Sequence, residues 1–259
     1  MRNLFTKIAL GLAFVFTSLT GAMAAGDSVD LRQQNWSFNG VFGKYDRASA
    51  QRGFQVYREV CSACHGLKYV AFRNLTEIGF PENMAKAIAA EYTVEDGPDD
   101  FGDMFERPGK LSDYLPSPFA NENAARASNG GALPPDLSLI TKARPHGPDY
   151  LYSILTGYKD APAGFELASG MSYNTYFKGQ AIAMPVPLFD EQVEYMDGTQ
   201  ASVEQMSQDL VMFLQWTAEP KLEERHEAGF KVMTFLILLT GLTYLVNKRV
   251  WAPIKDKKD

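Results

Sequence analysis

Apolar residues along the chain recur at helical spacing in several stretches and run unbroken in two others. Phe54, Tyr57, Cys61 and Cys64 fall three and four apart, which predicts a helix capped by Ser49 and running to about His65, with both cysteines on its buried stripe. A short helix is expected after Pro81, with Met84 and Ile88 inward and Tyr92 at its close. Leu151, Ile154, Leu155 and Tyr158 predict another, from Pro148-Asp149 to Gly157. A fourth begins at Ser202, whose partner Gln205 fits a capping box, and continues through Val203, Met206, Leu210, Phe213 and Leu214 to Trp216. Residues 26–47 read as an extended lead-in with no helical period.

Between Glu95 and Leu188 the texture changes, because eleven of the fourteen prolines fall there and continuous helix is excluded. Loops of that length inside a domain are functional or disordered. Interleaved aromatic and apolar residues argue against disorder. A large flat ligand wrapped by the loops accounts for them.

The two unbroken apolar runs divide the chain. Ile8 to Leu19 follows the basic Arg2 and Lys7 and ends at Ala22-Met23-Ala24, the pattern of a secretory signal rather than of a retained anchor. The second run is Val232 to Val246; counted from Phe230 the stretch is 17 residues, or about 26 Å of helix. That is just short of a hydrocarbon core of ~30 Å, a gap that snorkelling from Lys231 and Lys248 closes. The tail holds Lys248, Arg249, Lys255, Lys257 and Lys258, and such flanks stay in the cytoplasm. The expected division is a signal peptide at 1–24, a periplasmic domain at 25–228, a transmembrane anchor at 229–248 and a cytoplasmic basic tail at 249–259.

Charge is unevenly spread over these parts. Residues 25–229 carry 17 basic and 29 acidic side chains, a net of −12. Such a surface repels nucleic acid and invites a basic partner. Glu91, Glu95, Asp96, Asp99, Asp100, Asp103 and Glu106 form a run with no basic residue among them. It serves either as a solvated loop or as a surface that steers a basic soluble carrier.

The chemistry is concentrated at Cys61-Ser62-Ala63-Cys64-His65, which contains both cysteines of the chain. Cys-x-x-Cys-His is the signature of covalent haem attachment: two thiols add to the vinyl groups of the porphyrin and the imidazole becomes the proximal ligand. A zinc site needs four ligands, and His146 and His226 lie far off in sequence. A redox dithiol needs no following histidine. A sixth ligand is required if the iron only transfers electrons, and Met/His ligation is common in such carriers. Met84, Met206 and Met212 sit on helix stripes, Met233 lies in the apolar run, and Met104 and Met171 lie in loops with no evident stiffness. Met184 is the leading candidate, between small residues and the stiffening Pro185 and Pro187, with His146 as the alternative.

Taken together, these segments resemble the cytochrome c1 family, the membrane-anchored haem subunit of the cytochrome bc1 (quinol–cytochrome c oxidoreductase) complex. The resemblance covers essentially the whole chain after the signal. It rests on Arg52-Gly53-Phe54-Gln55-Val56-Tyr57 before the motif and Lys68-Tyr69-Val70-Ala71-Phe72-Arg73-Asn74-Leu75 after it. Arg107-Pro108-Gly109-Lys110-Leu111-Ser112-Asp113-Tyr114, Ala132-Leu133-Pro134-Pro135-Asp136-Leu137, Leu155-Thr156-Gly157-Tyr158, the Met184 loop and Ala218-Glu219-Pro220 follow in order.

The resemblance implies a mainly α fold: a cytochrome c-type domain with long haem-wrapping loops plus one C-terminal transmembrane helix. It implies one haem c held by thioethers from Cys61 and Cys64, with His65 and Met184 as axial ligands. Arg144 and Tyr150 match the family's pair at the haem propionates, and Pro135 its haem-packing proline. The implied partners are cytochrome b, the Rieske iron–sulfur protein as electron donor and a soluble c-type cytochrome as acceptor; the acidic run, if it steers a carrier rather than being a solvated loop, would meet that acceptor. The implied place is the bacterial inner membrane, single-pass in its lipid, with the haem domain in the periplasm. The chain would be an electron-transfer subunit with no substrate chemistry of its own. It departs from the family at Arg144-Pro145-His146-Gly147, where members commonly read Arg-His-Gly-Gly, and it has no cysteine for the extra disulfide of some bacterial members. Two other readings follow from the motif alone: a free-standing tethered cytochrome c, and a haem sensor or peroxidase with an open sixth position.

Overall fold

The structure, a computed structural model, describes residues 30–255. The expected signal peptide and the last four residues of the basic tail lie outside the described residues.

Asp46, not Ser49, opens the first helix, α1, at Arg47–Glu59. Its carboxylate accepts the backbone N–H groups of Ala48 (3.0 Å) and Ser49 (3.3 Å), a charge-assisted cap at the positive helix end. The Ser49 hydroxyl donates instead to Asp209, 2.7 Å away. The helix also stops earlier than expected. Val60 leaves helical geometry at φ −118°, and Cys61–Ala63 form a 3-10 turn.

A second 3-10 segment, Phe72–Ile78, contributes Phe72, Leu75 and Ile78 to the core. Helix α2, Glu82–Ala90, starts after Pro81 as expected, but its buried stripe is Ala85, Ile88 and Ala89. Met84 lies off that stripe and is exposed, which corrects its inward assignment.

The proline-rich stretch holds more order than its composition suggests. Strands β1 (Thr93–Asp96) and β2 (Phe105–Pro108) form an antiparallel hairpin from the acidic run, with Glu95 opposite Glu106. A short helix α3, Glu122–Ser128, is capped by Asn121. Helix α4 spans Gly147–Thr156, close to expectation, and strands β3 (Ser172–Tyr173) and β4 (Ala181–Ile182) pair antiparallel beyond it. Helix α5 is Val203–Ala218, and its Ser202 cap accepts the Gln205 N–H at 3.2 Å. The Gln205 side chain does not complete a capping box; its amide donates to Asp209 at 3.1 Å.

Helices α1 and α5 cross at the centre of the core. A Cβ on Gly53 would stand 1.9 Å from the Asp209 carbonyl oxygen, so only glycine permits this approach. Phe54 and Tyr57 pack on Phe213 with ring centroids 5.5 and 6.0 Å apart. Beside them lies the fully buried Asp209 carboxylate, which accepts Arg52 through two bonds (2.9 and 3.0 Å) as well as Ser49 and Gln205. A buried charge is tolerable only with such complete partnering. Helix α4 packs on the same α5. The core therefore links the helix before the motif to the helix before the Met184 loop.

The last helix, α6, is Leu222–Lys255. It is long and apolar enough to cross a membrane, and none of its most apolar window is buried by the rest of the chain. The architecture is the mainly α one expected.

Candidate haem site

The motif turn is held by its own backbone: Cys64 and His65 donate to the Cys61 carbonyl at 3.1 and 2.9 Å. Residues three apart in a 3-10 turn lie one above the other, which sets the two cysteines one turn apart without an α-helix. They are not equally buried. Cys61 packs against the core and Cys64 is exposed, so the shared buried stripe is corrected. Burial, with Cys64 adding to it, pushes the Cys61 thiol up to about 12. A redox dithiol needs the opposite shift.

His65 is oriented from a distant loop. Its Nδ1 lies 2.7 Å from the Pro135 carbonyl oxygen. A carbonyl only accepts, so Nδ1 carries the proton and Nε2 of the neutral ring presents its lone pair. Burial lowers the imidazole's proton affinity, with the Pro135 carbonyl opposing, and so favours that neutral ring. The segment around Pro135 is fastened to the motif by further bonds. Leu137 N–H donates to the Gly66 carbonyl (2.9 Å), and Lys68 N–H donates to the Asp136 carboxylate (2.9 Å). Tyr57 hydroxyl donates to the His65 carbonyl at 3.0 Å. Pro135 is thereby a backbone acceptor for the motif histidine as well as an exposed ring.

Met184 is half-buried just beyond β4. The Tyr158 hydroxyl donates to its carbonyl at 3.2 Å. The buried Asn174 braces the same region: its amide donates to the Ile154 carbonyl at the end of α4 (2.8 Å), and its N–H donates to the Gln180 carbonyl (2.9 Å). Pro185 is exposed, and the packing anchor of the loop is the buried Leu188. Asn174 escaped the sequence reading, whereas Tyr158 lies in a segment already singled out. Met206 and Met212 are core residues, as their stripes predicted.

Arg144 is exposed, and among the described residues its guanidinium bonds only the carbonyl of Ala143, at 3.1 Å. Tyr150 is half-buried in the first turn of α4. His146 is the exposed cap residue of that helix, at φ +54°. Among the described residues, no three His, Cys, Asp or Glu are grouped to hold a bare metal ion. Two thiols, an oriented imidazole and a thioether are the donor types that a porphyrin iron takes.

The acidic run divides by role. Asp96 pairs with Arg107, and Glu91 lies 3.4 Å from Arg58. Asp99 accepts the N–H groups of Phe101 (2.8 Å) and Asp103 (3.0 Å) and so shapes the hairpin loop. Glu95, Asp100, Asp103 and Glu106 remain exposed. Phe101 and Met104 are exposed beside them.

Residues 36–254 match the Cytochrome C1 family. The cytochrome c1 of Rhodospirillum rubrum is 48% identical over 266 residues, covering 96% of this chain and 98% of that protein. A protein of Schizosaccharomyces pombe named cytochrome c1, heme protein, mitochondrial is 47% identical over 256 residues, covering 97% of this chain and 83% of its own. The cytochrome b/c1 of Bradyrhizobium diazoefficiens is 50% identical over 267 residues; these cover 95% of this chain but 39% of that longer protein. With the match running from Trp36 through the apolar helix, the chain belongs to the cytochrome c1 family.

Proposed function

We propose that this chain carries one haem c, bound through thioethers from Cys61 and Cys64 with His65 and Met184 as axial ligands, and relays single electrons within quinol–cytochrome c oxidoreductase. The observation that carries the reading is the Nδ1 bond from His65 to the Pro135 carbonyl, which presents Nε2 as a ligand. When bound, the haem supplies an iron that cycles between ferrous and ferric. The chain holds it, sets its potential and presents it to partners. Arg144, a cation with no carboxylate partner among the described residues, would meet the propionates, and Tyr150 would donate its hydroxyl beside it. Pro135 packs on the ring while its carbonyl fixes the imidazole.

The electron donor is the Rieske iron–sulfur protein, the neighbour is cytochrome b and the acceptor is a soluble c-type cytochrome. The name of the Bradyrhizobium relative, cytochrome b/c1, supports the second of these. The acceptor docks at the hairpin of β1 and β2, where Glu95 and Glu106 stand opposite one another at a cost in stability. The exposed Phe101 and Met104 offer that partner an apolar contact. Residues 1–24 direct export, 25–228 form the periplasmic domain, 229–248 cross the membrane once and 249–259 remain in the cytoplasm.

Purification of the intact chain from membranes tests this. A reduced pyridine haemochrome spectrum with both vinyl groups saturated and co-migration with cytochrome b are expected. Haem extracted by acidified acetone, or a chain that migrates without cytochrome b, would refute it.

A further inference from the structure

Residues 39–43 form an uncharged turn that holds two apolar side chains in the open. Val41 is 67% exposed and Phe42 81% exposed. The turn is not loose. Gly43 N–H donates to the Gly40 carbonyl (3.2 Å), Lys44 N–H donates to the Ser37 carbonyl (2.9 Å) and the Ser37 hydroxyl donates to the Lys44 carbonyl (2.8 Å). Its base is buried: Trp36 stacks on Phe38 at 5.5 Å, and Phe38 meets Tyr45 at 5.8 Å. The apolar residues at the base thus serve the core, and those at the tip do not.

The base is also bolted to the start of α6. Tyr45 donates its hydroxyl to the Glu219 carbonyl (2.8 Å) and its N–H to the Glu223 carboxylate (2.8 Å). Arg47 forms a two-bond ion pair with the same carboxylate, at 2.8 and 3.0 Å. At the tip, the Phe42 ring meets the ring of Phe230, with centroids 6.5 Å apart. Phe230 lies two residues before Val232, where the apolar run of α6 begins. The turn therefore stands at the level where the helix enters hydrocarbon. Lys44 is exposed at this level, and Lys231 donates to the Glu227 carboxylate one turn back along the helix, at 2.5 Å.

We propose that Val41 and Phe42 are a second membrane contact, dipping into the boundary between headgroups and acyl chains beside α6. The occupant of this surface is lipid. Continuity with the apolar run favours it, as does the absence of charge at the tip. A single helix leaves a tethered domain free to tilt about its exit point. A rigid turn immersed next to that helix removes the tilt and holds the domain at a fixed height. This inference rests on α6 spanning the bilayer.

Nitroxide labels on the intact, haem-loaded chain in phosphatidylcholine–phosphatidylglycerol vesicles test it, through single variants Phe42→Cys, Val41→Cys, Leu238→Cys and Glu166→Cys. Collisions with oxygen are compared with collisions with a water-soluble nickel chelate. Labels at 41 and 42 are expected on the lipid side of the aqueous reference at 166, and shallower than the label at 238. If 238 reports lipid while 41 and 42 match 166, the second contact is overturned and the anchor stands. If 238 also reports water, the spanning reading falls and this inference with it. Labels at 41 and 42 that are wet in vesicles but shielded in the assembled complex assign the tip to a neighbouring subunit and overturn the lipid contact.

Discussion

The Nδ1 of His65 lies 2.7 Å from the carbonyl oxygen of Pro135, 70 positions further along the chain. The motif histidine is therefore oriented by a loop that contains no other part of the motif. The Leu137 N–H, which donates to the Gly66 carbonyl, and the Asp136 carboxylate, which accepts the N–H groups of Lys68 and Ser138, keep that loop in place.

Pro135→Gly is expected to keep the haem and raise its midpoint potential. The loosened backbone lets the carbonyl drift, the imidazole becomes a poorer donor, and the ferric state loses stabilisation. A potentiometric titration reads the change. An unchanged potential at full haem content would show that this bond only positions the ring.

Met184→Lys acts in the opposite direction. Cys61 and Cys64 are untouched, so the haem stays attached, while an amine in place of the thioether lowers the potential. Loss of the thioether charge-transfer band in the oxidised spectrum accompanies the shift. Retention of both band and potential would assign the sixth position to another residue.

Gly53→Ala tests the crossing of α1 and α5. The new Cβ would stand 1.9 Å from the Asp209 carbonyl oxygen and 2.8 Å from Phe213 Cβ, so the helices must part. The expected cost is about 3 kcal/mol, read from the denaturation midpoint of the loaded chain. A stability within error of the parent would mean that the helices slide without loss.

Acid stability is expected to report on the Arg107 clamp. The Arg107 guanidinium holds the Asp113 carboxyl at about 2, below its usual range. A depressed carboxylate stabilises the fold above its unfolded value of ~3.9, and that contribution fades as pH falls through the folded one. Asp113→Asn should flatten stability between about pH 4 and pH 2 and lower it at neutral pH. Denaturation midpoints measured across that window check the sign.

Neutralising Glu95, Asp100, Asp103 and Glu106 as amides is expected to slow electron delivery to a basic cytochrome, most at low ionic strength. Asp96 and Asp99 are left intact because they hold Arg107 and the hairpin loop. Relief of the Glu95–Glu106 opposition should leave the variant more stable by about 0.2–1 kcal/mol. Equal rates at all ionic strengths would reduce the hairpin to a solvated loop.

Helices α4 and α5 were legible because apolar residues at spacings of three and four coincide with a capping residue or a proline at the start. The cap of α1 was misplaced because Asp46 and Ser49 are both good caps three residues apart, and the buried Asp209 that recruits Ser49 carries no local signal. The β1–β2 hairpin was hidden because both faces are largely exposed and charged, which erases the alternation that marks a strand. Met84 was misread because a stripe of small residues, Ala85 and Ala89, outcompetes it. The ligand-bearing segments were visible through their residue types. Their bracing by Pro135, Tyr158 and Asn174 depends on contacts between remote parts of the chain, which spacing does not encode.

The unequal burial of the two motif cysteines bears on how the chain matures. On the finished fold Cys64 is exposed and Cys61 is partly covered where it packs against the core, so an attachment enzyme reaches the Cys64 sulfur more readily than that of Cys61. The thioether to Cys61 in the proposed haem c is expected to form more readily while the motif turn is still open. Loading of that haem would then favour the partly folded chain, with the outward-facing Cys64 the sulfur that stays within reach longest.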